Sequence, residues 1–296
     1  MASLGFVGLG AMGAPMARRL LAAGHRVAGY NRTPAKAVPL VPLGLEPVSS
    51  PRLAAAAAEA IFSMVTDSAA LAAVARGPDG IIAGLRPGAV WAEMSTVSPE
   101  TTRALGAEVA ARGAVMLDAP VSGSSITVEQ GQLAFFVGGP AEALDRIRPY
   151  LLAIGPTITH VGALGLAVTM KVATNLAIAV QLVTFAEQVL LAEKAGITRE
   201  RAVEALLRSV VASPMLRYRG PFVLRPPAEP LFNVAMMQKD VELALDLGRA
   251  TGTPLPTTAL AHEVLAAALG LGLEPHDCAA VFDVLARLAG RPGSIS

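Results

Sequence analysis

The chain has 296 residues, a formal net charge of +1 and 53% hydrophobic residues, which is length enough for two domains with sizeable cores. Its scattered basic residues give no electrostatic case for nucleic acid or an acidic surface. A single cysteine, Cys278, excludes an internal disulfide and a cysteine-ligated metal cluster; it is expected as a small core residue and fits a reducing, cytoplasmic setting.

The N-terminus, Met1-Ala2-Ser3-Leu4-Gly5, lacks the basic segment and long apolar run of a secretory signal. Buried strands are expected at residues 4–7, 25–30, 60–65, 89–93, 115–119 and 133–137. Helices are expected between them at residues 12–23, 51–58, 68–76, 98–112 and 140–152. This alternation predicts a doubly wound, mostly parallel sheet. After residue 162 strand signals nearly vanish, and helices are expected at 163–195, 198–210, 232–251, 256–270 and 277–289. The proline-rich segment 213–230 reads as an extended loop. The chain therefore divides into an α/β domain, residues 1–162, and an all-α domain, residues 163–296, with the long helix as the junction. Residues 172–186 carry no charge but include Thr174, Asn175, Gln181 and Thr184. That run is shorter than the roughly 20 apolar residues of a membrane span. A helix buried between domains or subunits is expected instead, with no membrane partner.

Gly8-Leu9-Gly10-Ala11-Met12-Gly13 matches G-x-G-x-x-G directly after the first strand and at the start of the first helix. Gly8 permits a tight turn, Gly10 lets the backbone approach a pyrophosphate, and Gly13 lets helix and strand pack closely. The helix N-terminus adds N–H groups and a favourable dipole for phosphates. After the second strand stands Asn31-Arg32-Thr33, where an NAD enzyme usually places a carboxylate on the ribose. Without that carboxylate a 2′-phosphate is not repelled; Arg32 can pair with it or stack on adenine, and Asn31 and Thr33 can donate hydrogen bonds. NADP(H) is the expected cofactor. Met64-Val65-Thr66 and Ser95-Thr96 follow two further strands, at the carboxyl ends that face ligands in such sheets.

Positive charge in this chain is carried almost wholly by arginine, yet Lys171 is the only charged residue between Val161 and Ala186. Asn175 shares its helix face at i+4. A lysine held by an amide on a rigid helix can give a proton to a carbonyl oxygen; equally, a lysine can snorkel to solvent from a buried helix. The histidines at 25, 160, 262 and 276 show no metal-ligand spacing, so no metal is expected.

The fingerprint, Asp118-Ala119-Pro120-Val121-Ser122-Gly123-Ser124, Gly131-Gln132-Leu133, Lys171 to Asn175 and Gln238-Lys239-Asp240, in that order, resemble the β-hydroxyacid dehydrogenase family over nearly the whole chain. The resemblance implies a Rossmann-like N-terminal domain, a helical C-terminal domain, and a homodimer or homotetramer that buries part of the helical domain. It implies hydride transfer between a nicotinamide cofactor and a small aldehyde acid or hydroxy acid. Lys171 would polarise and protonate the carbonyl oxygen, and Asn175 would orient Lys171 or the substrate. Ser122, Gly123 and Ser124 form the substrate loop, in which Ser122 and Gly123 would hold the carboxylate. Lys239 would approach the nicotinamide ribose or the substrate from the helical domain. Met64, Val65, Thr66 and Thr96 would complete the cofactor site.

Ser124 and the Thr174-Asn175 pair, with Asn31-Arg32-Thr33 and Arg219-Gly220-Pro221, look most like the NADPH-dependent glyoxylate and succinic semialdehyde reductases. Many 3-hydroxyisobutyrate dehydrogenases have Gly in place of Ser124 and a second Asn beside Asn175. Ala167 stands where a further glycine is frequent. The alternatives are a 3-hydroxy acid dehydrogenase, an imine reductase, or a non-catalytic dinucleotide-binding protein; Lys171 argues against the last two.

Overall fold

The computed structural model describes residues 1–56 and 58–295. It forms two compact units, Met1–Lys171 and Val172–Ser296.

The first unit begins with β1 (Ser3–Val7), α1 (Gly13–Ala22), β2 (Arg26–Tyr30), β3 (Leu45–Pro47), α2 (Pro51–Ala56), β4 (Ala60–Ser63), α3 (Ser68–Ala75), α4 (Ile81–Gly84) and β5 (Val90–Glu93). It continues through α5 (Pro99–Ala110), β6 (Val115–Asp118), β7 (Val121–Ser122), α6 (Ser125–Glu129), β8 (Ala134–Gly138), α7 (Ala141–Ile154) and β9 (Thr157–Gly162). The sheet order is β3-β2-β1-β4-β5-β6-β8-β7, with β9 also paired to β8. Pairing is parallel from β3 to β6, while β8 runs antiparallel to β6 and β7.

The apolar runs that mark these strands arise because both faces are covered. Leu4, Phe6, Phe62, Ala92 and Leu117 enter one core, which includes Met16 and Leu20 of α1 and Leu144 and Ile147 of α7. Val7, Ile61, Trp91 and Met116, one residue out of phase, enter a second core with Ala54, Leu71 and Leu105. Trp91 is fully buried in that second core, and its indole N–H donates to Ser63 Oγ at 2.8 Å.

The short strands β3 and β7 and the half-exposed β9 were not expected. Too few buried positions separate them from turns, and β9 has no buried residue. The helix expected at 51–58 is observed to Ala56; Ala57 lies outside the described residues.

The long helix α8 (Leu166–Lys194) starts in the first unit and continues into the second. The boundary between the two compact units falls after Lys171, inside the helix. Its first turn is bonded to the first unit: Gly165 and Val168 donate N–H groups to Asp118 of β6, and Val168 lies in the second sheet core. Among the described residues α8 is the one helix long and apolar enough to cross a membrane by length and composition, a test that the core helix of a soluble protein also passes.

The second unit adds α9 (Arg199–Arg208), α10 (Pro214–Arg219), α11 (Val234–Thr251), α12 (Pro256–Gly270) and α13 (Val281–Leu288). Segment 213–230 is not wholly the extended loop expected. Ser213 caps α10, Pro214 occupies its first turn, and a 3-10 turn follows at Gly220–Val223. Proline marks a helix start here rather than a break. Arg219 closes α10 by pairing with buried Asp277 at 3.0 Å, and Asp277 also accepts the N–H groups of Leu231, Phe232 and Ala279. Cys278 is fully buried beside this pair, as expected of a core residue.

Candidate active site

The glycine-rich turn connects β1 to α1. Gly8 has φ +95°, and a side chain there would collide with the carbonyl of Met64. A side chain on Gly13 would meet the carbonyl of Gly8. Both positions are closed by backbone, so only glycine fits. Gly10 differs: nothing lies within 4 Å of the place a Cβ would occupy. The helix that follows has no side-chain N-cap and no acidic residue in its first turn. Tight outer glycines, an open central one and an uncapped helix N-terminus fit the pyrophosphate of a dinucleotide.

Asn31 is tied into the turn itself. Its Oδ1 accepts from the Leu9 N–H at 2.9 Å, and its Nδ2 donates to the Thr33 carbonyl at 2.9 Å. Asn31 thus shapes the turn through internal bonds, a task local sequence did not reveal, since Leu9 lies 22 residues away. Arg32 and Thr33 are exposed.

Two further loops are tied to each other. Val65 donates its N–H to Ser95 Oγ at 2.8 Å, and Ser95 donates its own to Glu93 Oε1 at 2.9 Å. Asp67 caps α3 through the Ala70 N–H at 2.7 Å. These bonds fix the backbone of Met64, Val65 and Thr66 beside that of Thr96. Glu93 is wholly buried; its signal in the sequence is a carboxylate closing an apolar strand.

Asp118 ends β6, and four residues later comes Ser122. Gly123 has φ +140° and lies where a side chain would strike Thr127 Oγ1. Ser124 precedes α6 as its N-cap; its N–H donates to Thr127 Oγ1 at 2.7 Å, so that group is committed within the loop. Ser122 is half-buried and Gly123 exposed. Burial pushes the Asp118 carboxyl pKa up, while the N–H bonds from Gly165 and Val168 pull it back.

Lys171 and Asn175 sit one turn apart on α8, 8% and 2% exposed. Little of the Lys171 side chain is therefore left to solvent. Ala167, one turn earlier, is fully buried. In the second unit, Asn175 Nδ2 donates to Asp240 Oδ2 at 2.5 Å. The other carboxylate oxygen lies 2.7 Å from Lys239 Nζ, an ion-pair contact rather than an aligned hydrogen bond. Asp240 is 1% exposed, so Lys239-Asp240 is not a solvated surface pair. Its carboxylate joins the two side chains singled out in this unit, across 65 residues of sequence. Among the described residues no cluster of three His, Cys, Asp or Glu side chains could hold a metal.

Residues 3–162 match the model of the NAD binding domain of 6-phosphogluconate dehydrogenase. Residues 165–285 match that of the NAD-binding domain of NADP-dependent 3-hydroxyisobutyrate dehydrogenase. The chain is 34% identical to glyoxylate/succinic semialdehyde reductase 2 of Arabidopsis thaliana, covering 96% of this chain and 79% of the relative. It is also 34% identical to 2-hydroxy-3-oxopropionate reductase of Escherichia coli, covering 97% and 98%. A solved 3-hydroxyisobutyrate dehydrogenase of Mycobacterium tuberculosis, in a structure with L-serine, is 30% identical with a TM-score of 0.85, covering 96% and 99%.

Proposed function

The chain belongs to the β-hydroxyacid dehydrogenase family, enzymes that use NAD(P) to act on CH–OH groups, and we propose that it works as an NADPH-dependent reductase of small aldehyde acids. Glyoxylate and succinic semialdehyde are the substrates to test first, since the name of the Arabidopsis relative carries both. The observation that carries this reading is the buried pair of Lys171 and Asn175 on α8, with Asn175 held by Asp240.

In this reading the turn from Gly8 to Gly13 holds the pyrophosphate, with Met64, Val65, Thr66 and Thr96 lining the cofactor. The exposed Arg32 guanidinium and Thr33 hydroxyl take a ribose 2′-phosphate. When bound, NADPH supplies the hydride. Lys171, as ammonium, hydrogen-bonds the aldehyde oxygen and gives it a proton as negative charge develops there. The Ser122 hydroxyl and the Gly123 N–H take the substrate carboxylate. Within the second unit Asp240 holds the amide of Asn175 and the ammonium of Lys239. A homo-oligomer in the cytoplasm belongs to the same reading.

A second reading, oxidation of a 3-hydroxy acid, is favoured by the likeness to the mycobacterial dehydrogenase. Steady-state rates with NADPH and NADH against glyoxylate and succinic semialdehyde, and with NADP and NAD against 3-hydroxyisobutyrate and L-serine, separate the two. Reduction of an aldehyde acid with NADPH at the highest kcat/KM is expected. Preference for NADH overturns the reading of Arg32 and Thr33, and faster 3-hydroxy acid oxidation overturns the substrate class. Lys171→Ala should lower kcat by about 10²–10⁴-fold; full turnover with NADPH still bound removes Lys171 as proton donor.

A further inference from the structure

The first turn of α8 is capped from a distance. The residue before it, Gly165, has φ +90° and no side chain, so it cannot supply the oxygen that a Ser, Thr, Asp or Asn N-cap would. Asp118 supplies it instead. Its Oδ1 accepts the Gly165 N–H at 2.9 Å and its Oδ2 accepts the Val168 N–H at 2.8 Å. These partners lie 47 and 50 residues along the chain. A carboxylate at this end of a helix is also favoured by the helix dipole. Thr169 adds a bond from its hydroxyl to the Gly165 carbonyl at 2.8 Å. Lys171 lies in the second turn, three residues after Val168.

The surroundings leave the carboxylate little freedom. Asp118 is fully buried and pairs with Gly138 of β8, where a Cβ would strike Asp118 Oδ1 and approach the Ala163 carbonyl at 2.8 Å. The following residue, Ala119, donates its N–H to the Glu93 carbonyl at 2.6 Å, and Phe136 of β8 donates to the Pro120 carbonyl at 3.0 Å. Val121 and Ser122 then pair with Phe135 and Ala134. One residue thus sits at the root of the Ser122–Gly123 loop by covalent connection, and at the root of the Lys171 helix by two hydrogen bonds.

We propose that Asp118 is a positioning residue that sets the spacing between the Ser122–Gly123 loop and the ammonium of Lys171. This rests on the assignment of Lys171 as proton donor to a substrate whose carboxylate is held by that loop. Asp118 touches neither substrate nor cofactor. It acts by holding the helix turn from which Lys171 projects at a fixed place relative to β6 and β7. Substrates with different carbon counts between carboxylate and aldehyde should therefore respond differently when that hold is loosened.

A double-mutant cycle tests this. Asp118→Asn keeps the shape and one acceptor oxygen but loses the second. In the parent background it should lower kcat for the preferred aldehyde acid by about tenfold to hundredfold, the scale of an ångström-sized misplacement. NADPH affinity, read by fluorescence titration of the folded protein, should stay within twofold. The ratio of kcat/KM between glyoxylate and succinic semialdehyde should shift. In the Lys171→Ala background the same change should alter the residual kcat less than twofold, because the group being positioned is gone. If Asp118→Asn lowers kcat equally in both backgrounds, or lowers NADPH affinity in step, Asp118 is a structural residue only and the inference falls while Lys171 keeps its role. If Lys171→Ala alone keeps full turnover, it is the proton-donor assignment that fails. Gly138→Ala, which pushes on the carboxylate without removing its charge, is the second variant should Asp118→Asn not fold. It should reproduce the kcat loss and the substrate shift, and unchanged values for both overturn the proposal.

Discussion

Replacing Gly10 by alanine separates nucleotide binding from folding in a way the neighbouring glycines do not allow. Gly10 is absent from the left-handed backbone positions, and its Cβ site is open for 4 Å in every direction. An alanine there meets no protein atom and restricts the unfolded chain, so Gly10→Ala should leave stability unchanged or raise it by about 0.4–1 kcal/mol. The same methyl lies where a pyrophosphate must approach the backbone. Losing one N–H bond to a charged oxygen costs about 1.5–3 kcal/mol, which is roughly a tenfold to hundredfold weaker Kd. Fluorescence titration with NADPH, beside a thermal melt of the same preparation, reads both quantities. Gly13→Ala is the contrast, because its methyl would collide with the Gly8 carbonyl and should cost stability as well as affinity. Parent-like NADPH affinity in a folded Gly10→Ala protein would refute the placement of the pyrophosphate against this turn.

Arg32→Ala should raise the KM for NADPH about tenfold or more, the worth of a charge-assisted pair with phosphate, and leave the KM for NADH within twofold; equal effects on both would remove Arg32 from the 2′-phosphate. Asp240→Ala leaves the buried Asn175 amide without this acceptor and Lys239 without this counter-charge. It should lower unfolding stability in urea by about 2–3 kcal/mol, below the full cost of breaking a buried pair because the Lys239 side chain is 23% exposed and can reach water. A change under about 0.5 kcal/mol, the scale of an ordinary surface substitution, contradicts the buried network. The Cys278 thiol is pushed up to about 12 by burial from an ordinary 9.0. The folded chain therefore keeps a proton that the unfolded chain releases, so this group's contribution to stability is whole below pH 9 and declines as pH rises toward 12. Cys278→Ala should flatten that alkaline limb, and the native thiol should resist alkylation at pH 8; rapid labelling of folded protein would contradict its burial.

The parallel strands and the fingerprint glycines were legible because their signals are local. Leu4, Phe6 and Val7 form one short apolar run, and a turn that must bring β1 back against the Met64 carbonyl leaves glycine little alternative. The helix within 213–230 was hidden because proline reads as a breaker, although Pro214 sits in a first turn where its missing N–H costs nothing. The polar bonds that organise the candidate site were not visible for another reason. Asn31 meets Leu9 across 22 residues, Asp118 meets Val168 across 50, and Asn175 meets Asp240 across 65. No periodicity in a short window encodes such pairs. What the sequence did contain was a warning at each position: Glu93 and Asp118 close otherwise apolar strands, and Asp240 lies within an apolar helix face. A carboxylate in such a place must find partners or be neutralised, and each of the three carries hydrogen bonds in the fold.

Trp91 is the single tryptophan of the chain. It lies wholly buried in the first unit, with its indole N–H held by Ser63. Its emission is thus a private optical channel for that unit, starting blue-shifted and moving red only when the sheet around β4 and β5 opens to water. Far-ultraviolet circular dichroism, weighted toward helix, reports both units together, since α1 to α7 lie in the first and α9 to α13 in the second. Recorded together during denaturation, the two signals would tell whether the nucleotide-binding sheet and the helical unit come apart in one transition or two, with no label added to the protein.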